Sequence, residues 1–249
     1  IKSSDGTYLY YKYSETGNNG ICICFIHGLN DNSTSFDSII EYFIKKGFSV
    51  STFDFRCHGK SEWKKGLIKS FDLLLEDFEA FLSETKFHFP DHKYIIYGHG
   101  VGALVVLQDY LLNPKNFNGF ILSAPIFKPY NEYSKFLIKC LFFIKNIFSF
   151  VLIPNRLSSA NEENNNIKPT NRITLRLLTE ILILGKKLMG MGFRINIPFL
   201  LIQGKADKVS QLKSSNVFLR NTGYFTTSKI WDNLPHQLHN CEKNNEIFE

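Results

Sequence analysis

Three short stretches of this chain hold residues able to do acyl-transfer chemistry if the fold brings them together. The first is Gly98-His99-Gly100-Val101-Gly102, which follows the apolar run 94–97 and precedes the helix-like run 103–107. A strand, a glycine-spaced turn and a helix make the elbow on which a nucleophile is presented. Its central residue takes a strained backbone, and its neighbours must be small so that strand and helix pass closely. Gly98 and Gly102 meet that need. The second stretch carries Asp207, in LLIQGKADK, and the third carries His236, in WDNLPHQLH. Each follows a strand-like run, so the chain order is nucleophile position, acid, base. In that chemistry an imidazole takes the nucleophile's proton and a carboxylate holds the imidazole tautomer. The nucleophile position itself is Gly100, which has no side chain.

A fourth stretch, Phe25-Ile26-His27-Gly28-Leu29, places a His-Gly pair after a strand. Backbone N–H groups there can face a developing oxyanion. Leu29 would supply one donor and Val101, just after the nucleophile position, the other. His27 is expected to orient this loop, and His58 and His99 to be structural. Two other side chains carry a nucleophilic atom after a strand, Cys57 and Ser123, but neither falls on the elbow. A phosphate-binding loop fits poorly, because no Lys-Ser/Thr pair follows the last glycine.

These stretches need a scaffold that brings strand ends together. Strand patterns occur at 8–13, 21–26, 48–53, 93–97, 117–122, 197–203 and 225–231. Helical periods occur between them at 35–46, 70–87, 103–112 and 210–219, and the chain stops in a further helical stretch. Such alternation predicts an α/β fold with a mostly parallel central sheet flanked by helices. In such sheets ligands sit at the carboxyl ends of the strands. The rhythm breaks over 126–194, which shows no strand pattern. It contains the Phe-rich run 136–154, read as one apolar helix, an Asn-rich loop at 161–171, and a helical run at 173–188. Residues 1–125 and 195–249 are therefore expected to form the core, and 126–194 an inserted helical cap.

Composition narrows the function class. The length of 249 residues suits one large α/β domain. The net charge of +6 comes from scattered lysines rather than an Arg-rich stripe, so no nucleic-acid partner is expected. Weak attraction to an anionic membrane surface fits the same charge. The five cysteines have no pairing pattern, and Cys22 and Cys24 share one face of a strand, as buried thiols would. No Cys-x-x-Cys pair suggests zinc. Lys139 and Lys145 interrupt the Phe-rich run, which argues against a membrane span. The sequence begins at Ile1, so a leader or anchor could precede it; the expected location is cytoplasmic or peripheral to a membrane.

The stretches FIHGLND, FDFRCHGKS, YGHGVGA, GFILSAPI, IPFLLIQGKADKV and LPHQLH occur in this order over nearly the whole chain. On them the sequence resembles the α/β-hydrolase superfamily, and within it the monoacylglycerol lipase and lysophospholipase group. The resemblance implies a serine-type hydrolase of acyl esters with Asp207 as acid, His236 as base, and the Leu29 and Val101 amides as oxyanion hole. It implies a serine where this chain has Gly100, and no catalytic role for His239. A cap helix carrying Phe136, Phe142 and Phe143 would line an acyl-chain tunnel and could dip into a membrane surface, with Lys139 and Lys145 meeting headgroups. The triad chemistry calls for no metal or organic cofactor. The chain as written is expected to be inactive. The alternative reading is a catalytically silent protein that binds a lipid or partner on a hydrolase fold.

Overall fold

The computed structural model describes the chain except for residues 17–18, 63–66, 132, 146, 158–171, 242–246 and 248–249. The Asn-rich loop and most of the expected C-terminal helix lie outside the described residues. Seven strands form one sheet: β1 (Tyr11–Ser14), β2 (Ile21–Ile26), β3 (Ser49–Phe53), β4 (Lys93–His99), β5 (Gly119–Ser123), β8 (Phe199–Gly204) and β9 (Thr226–Trp231). Their spatial order is β1-β3-β2-β4-β5-β8-β9. Only β1 runs antiparallel, against β3; every other neighbouring pair is parallel. The first strand pattern is shorter than expected, and Tyr8 instead bridges to Lys2.

Side-chain alternation assigns each face its helices. Cys22, Cys24 and Ile26 of β2 join a cluster with α2 (Asp72–His88), α3 (Val101–Leu112), α5 (Leu175–Met189) and α6 (Leu212–Arg220). Ile23 and Phe25 face the opposite way, toward α1 (Asp37–Lys45) and the short turn of 3-10 helix Leu238–Asn240. β2 is covered on both sides, which is why ICICFI reads as continuous rather than alternating. α3 is apolar nearly all round and almost wholly buried against the sheet. Beyond the strands, Arg56 locks the turn after β3 to α2. Its buried guanidinium pairs with the buried carboxylate of Asp77 at 2.6 Å and with Asp5 at 2.6 Å.

The insertion departs from the expected all-helical pattern. The Phe-rich run is not one helix: α4 (Lys135–Ile144) ends in turns at 147–150, and the chain then extends as β6 (Leu152–Pro154). β6 pairs antiparallel with β7 (Arg172–Thr174), so the helical run starts later than expected, at Leu175. Val151, Ile153 and Pro154 favour extended backbone, and the pairing across the intervening chain gives that preference a partner. Ser134 and Thr174 cap α4 and α5 by accepting N–H bonds from Leu137 and Leu177.

Candidate active site

Gly100 sits between the end of β4 and the start of α3, with φ +58° and ψ −114°. This is a backbone region that side-chain-bearing residues occupy only under strain. The elbow is sterically closed around it. A Cβ at Gly102 would lie 2.5 Å from the His27 carbonyl oxygen, and one at Gly98 would lie 2.8 Å from Ala103 Cα. Position 100 is different: a Cβ there has ordinary room, and its nearest neighbour is His236 Nε2 at 3.4 Å. The missing side chain would therefore point at an imidazole nitrogen. The Gly100 amide donates to the Ser123 carbonyl at 2.9 Å, fixing the turn to β5.

The same imidazole meets Asp207 on its other side. His236 Nδ1 and Asp207 Oδ2 are 2.9 Å apart, and both side chains are buried. Asp207 follows β8, and its Oδ1 accepts the amides of Val209 at 2.7 Å and Ser210 at 2.9 Å. Its Oδ2 also accepts from Gln203 Nε2 and the Ser210 hydroxyl. Burial raises the Asp207 carboxyl, but the His236 and Ser210 bonds outweigh it and hold the group below the usual range. An ionised Asp207 can only accept, so His236 Nδ1 carries the proton of this bond and Nε2 is the ring nitrogen that faces position 100.

The loop after β2 is held in place by His27. His27 Nε2 accepts the Phe55 amide at 3.0 Å, so its Nδ1–H donates to the Gly28 carbonyl at 2.7 Å. Burial pushes His27 down to about 4, which keeps that tautomer neutral. The trans peptide then turns the Leu29 N–H away from the held carbonyl. Leu29 and Val101 both border the narrow pocket over Gly100, together with His236. His58 supports the next residue, accepting the Asn30 amide at 3.1 Å. The sequence-predicted positions 29, 100, 101, 207 and 236 thus converge at one edge of the sheet.

The model of the serine aminopeptidase S33 family matches residues 18–244, nearly the full chain. The chain belongs to this family. Curated relatives include an uncharacterised abhydrolase domain-containing protein of Dictyostelium discoideum, 26% identical over 88% of this chain. This chain spans 24% of that protein's length. Rat monoglyceride lipase is 21% identical, over 96% of this chain and 83% of its own. Among solved structures, the monoacylglycerol lipase of Paleococcus ferrophilus superposes with a TM-score of 0.82 at 20% identity, covering 97% of this chain and 95% of that one. A likeness of that extent shows the α/β-hydrolase fold, as the sequence motifs implied.

The other candidate side chains lie away from this site. Ser123 and Cys57 do not face it as nucleophiles. Ser123 is buried with its hydroxyl against His99 Nδ1, and burial pushes the Cys57 thiol up to about 11. Phe136, Phe142 and Phe143 do not border the pocket; they lie on the outside of α4, 79%, 48% and 66% exposed. Lys139 is exposed, but Lys145 is turned inward to Glu180 at 3.4 Å rather than outward to headgroups. No described helix is long and apolar enough to cross a membrane. One group escaped the sequence reading: Asp31 is buried beside the pocket, and burial lifts its carboxyl to about 7. Only its place, five residues after the end of a strand that leads into the site, marks it in the sequence.

Proposed function

We propose that this chain is a monoacylglycerol-lipase-like member of the family in which the acid and base stand ready and the nucleophile has been removed. Its substrate class is an acyl ester with a small alcohol, of monoacylglycerol or lysophospholipid type. Asp207 orients and charges the site, His236 is the general base, and the Leu29 and Val101 amides are the oxyanion donors. The observation that carries this reading is the 3.4 Å approach of His236 Nε2 to the vacant Cβ position of Gly100. A serine hydroxyl one bond further out falls within hydrogen-bond reach of that nitrogen. Relatives named monoglyceride lipases supply the substrate class. The exposed phenylalanines of α4, with Lys139 beside them, are read as a contact for a lipid surface that delivers such substrates.

In this reading the chain with Gly100 holds the ester without cleaving it. Loss of the nucleophile costs roughly 10³–10⁶ in rate by analogy with triad deletions. Gly100→Ser is therefore expected to convert a silent protein into one that hydrolyses 2-acylglycerols and p-nitrophenyl esters at rates at least 10³ above the parent. A folded Gly100→Ser protein with no turnover of any acyl ester would reject the proposal. The second reading, a binding protein, is favoured by Gly100 itself, which relieves the elbow of a strained side chain. Saturable binding of a non-hydrolysable monoacylglycerol ether to the parent, with no activity in Gly100→Ser, would select it.

A further inference from the structure

Asp31, His99 and His239 come from three separate segments: the loop after β2, the last residue of β4, and the 3-10 turn Leu238–Asn240. Each offers one ligand atom, and the three atoms lie within 4.8 Å of one another. All three residues are buried. Asp31 Oδ2 and both ring nitrogens of His239 have no hydrogen-bond partner among the described residues. His239 Nε2 and Asp31 Oδ2 face each other at 3.9 Å, too far for a hydrogen bond. Leaving buried polar atoms unpaired forfeits their hydration with nothing in return, so a cluster of them asks for an occupant. The His239 ring cannot swing out to find water, because it packs on Phe36 at 4.6 Å and Tyr97 at 6.3 Å between ring centres.

We propose that Asp31, His99 and His239 form a site for a divalent transition-metal ion of the zinc class. Two imidazoles and a carboxylate suit zinc, whereas calcium and magnesium take oxygen ligands. The surroundings already provide outer support. Asp31 Oδ1 accepts the Asn32 amide at 2.9 Å, and His99 Nδ1 lies 3.3 Å from the Ser123 hydroxyl. Such contacts orient ligating groups and free the opposite ring nitrogen for the ion. Bonds of about 2.0–2.2 Å in tetrahedral geometry bring ligand atoms to roughly 3.4 Å apart, so atoms as far apart as 4.8 Å close by up to about 1.4 Å on binding. Asp31 and His99 also border the pocket over Gly100, which gives the ion a way in and leaves a fourth position toward that pocket. A bound ion would pin the loop carrying Leu29 to the strand carrying the elbow.

The test does not depend on ester hydrolysis. The whole protein is freed of metal with a chelator and titrated with Co²⁺, then with Zn²⁺ in competition. One ion per chain is expected, with the intense visible absorption of tetrahedral Co²⁺ and its loss when Zn²⁺ displaces it. Asp31→Asn and His239→Gln should each weaken binding at least 100-fold, while Cys140→Ser, which removes a partly exposed thiol elsewhere, should leave it unchanged. Near-UV circular dichroism checks that each variant is folded, and if one is not, the other variant and the parent titration decide. The absence of a stoichiometric site in the folded parent overturns the proposal. So does a site whose affinity is the same in the folded variants, and so does loss of binding in Cys140→Ser.

Discussion

Position 100 is a glycine at the centre of a sharp strand-to-helix turn, facing an imidazole. The glycine keeps the φ of +58° that the elbow demands, and no side chain is strained by it. Serine at the same place must hold a backbone region that costs on the order of 1–3 kcal/mol. Its Cβ meets nothing closer than 3.4 Å, so sterics add no further penalty. Gly100→Ser is therefore expected to lower unfolding free energy by about 1–3 kcal/mol, read by urea denaturation against the parent. A change of either sign beyond this range means that the elbow has moved. The residues of this site were legible because turn chemistry leaves marks: glycines at 98, 100 and 102, and a lone Asp and His just past two strands. Asp31 left none. Its loop, LNDNST, reads as ordinary turn residues, and only burial beside His239 gives it meaning.

At the scale of elements, sequence patterns served best where one face or both faces of a strand or helix met the core. β2, β4 and α3 are buried almost throughout, so their apolar runs located them. Strand 93–97 gains two residues because Gly98 and His99 continue the pairing with β5. The insertion was harder, since Phe, Ile and Leu suit a helix and a strand alike. What divides the run 136–154 is a tertiary event, the pairing of β6 with β7, and no local period records a partner some twenty residues away. The consequence reaches the function. α4 is short and turned outward, so its phenylalanines face solvent where a tunnel lining was expected.

Over the whole molecule, stability in acid follows from carboxylates held ionised by the fold. Burial alone would raise the Asp5 carboxyl, but hydrogen bonds from Arg56 and Thr7 hold it at about 2. Asp207 is shifted in the same direction by His236 and Ser210. A group whose folded value lies below its unfolded value of about 3.9 stabilises the native state above that pH. Its contribution disappears as pH falls toward the folded value. The thermal midpoint should therefore begin to fall below about pH 6.5, where the unfolded chain protonates histidines such as His27 that burial keeps neutral, and fall further below about pH 4 as Asp5 and Asp207 lose their contribution. Asp5→Asn should have a lower midpoint at pH 6 and a shallower acid decline; an unchanged acid profile would remove Asp5 from this account. Family membership is likewise a property of the whole chain, since it rests on a match over residues 18–244.

The central claim of the proposed function is that Asp207 orients His236 as a base toward residue 100, in a site lacking only its reactive oxygen. Fluorophosphonate labelling followed by mass spectrometry of the modified peptide tests it most directly. The account predicts no adduct on the parent, a single adduct at residue 100 in Gly100→Ser, and its loss when His236→Ala is added. An unlabelled but folded Gly100→Ser protein, or labelling that survives His236→Ala undiminished, would contradict it.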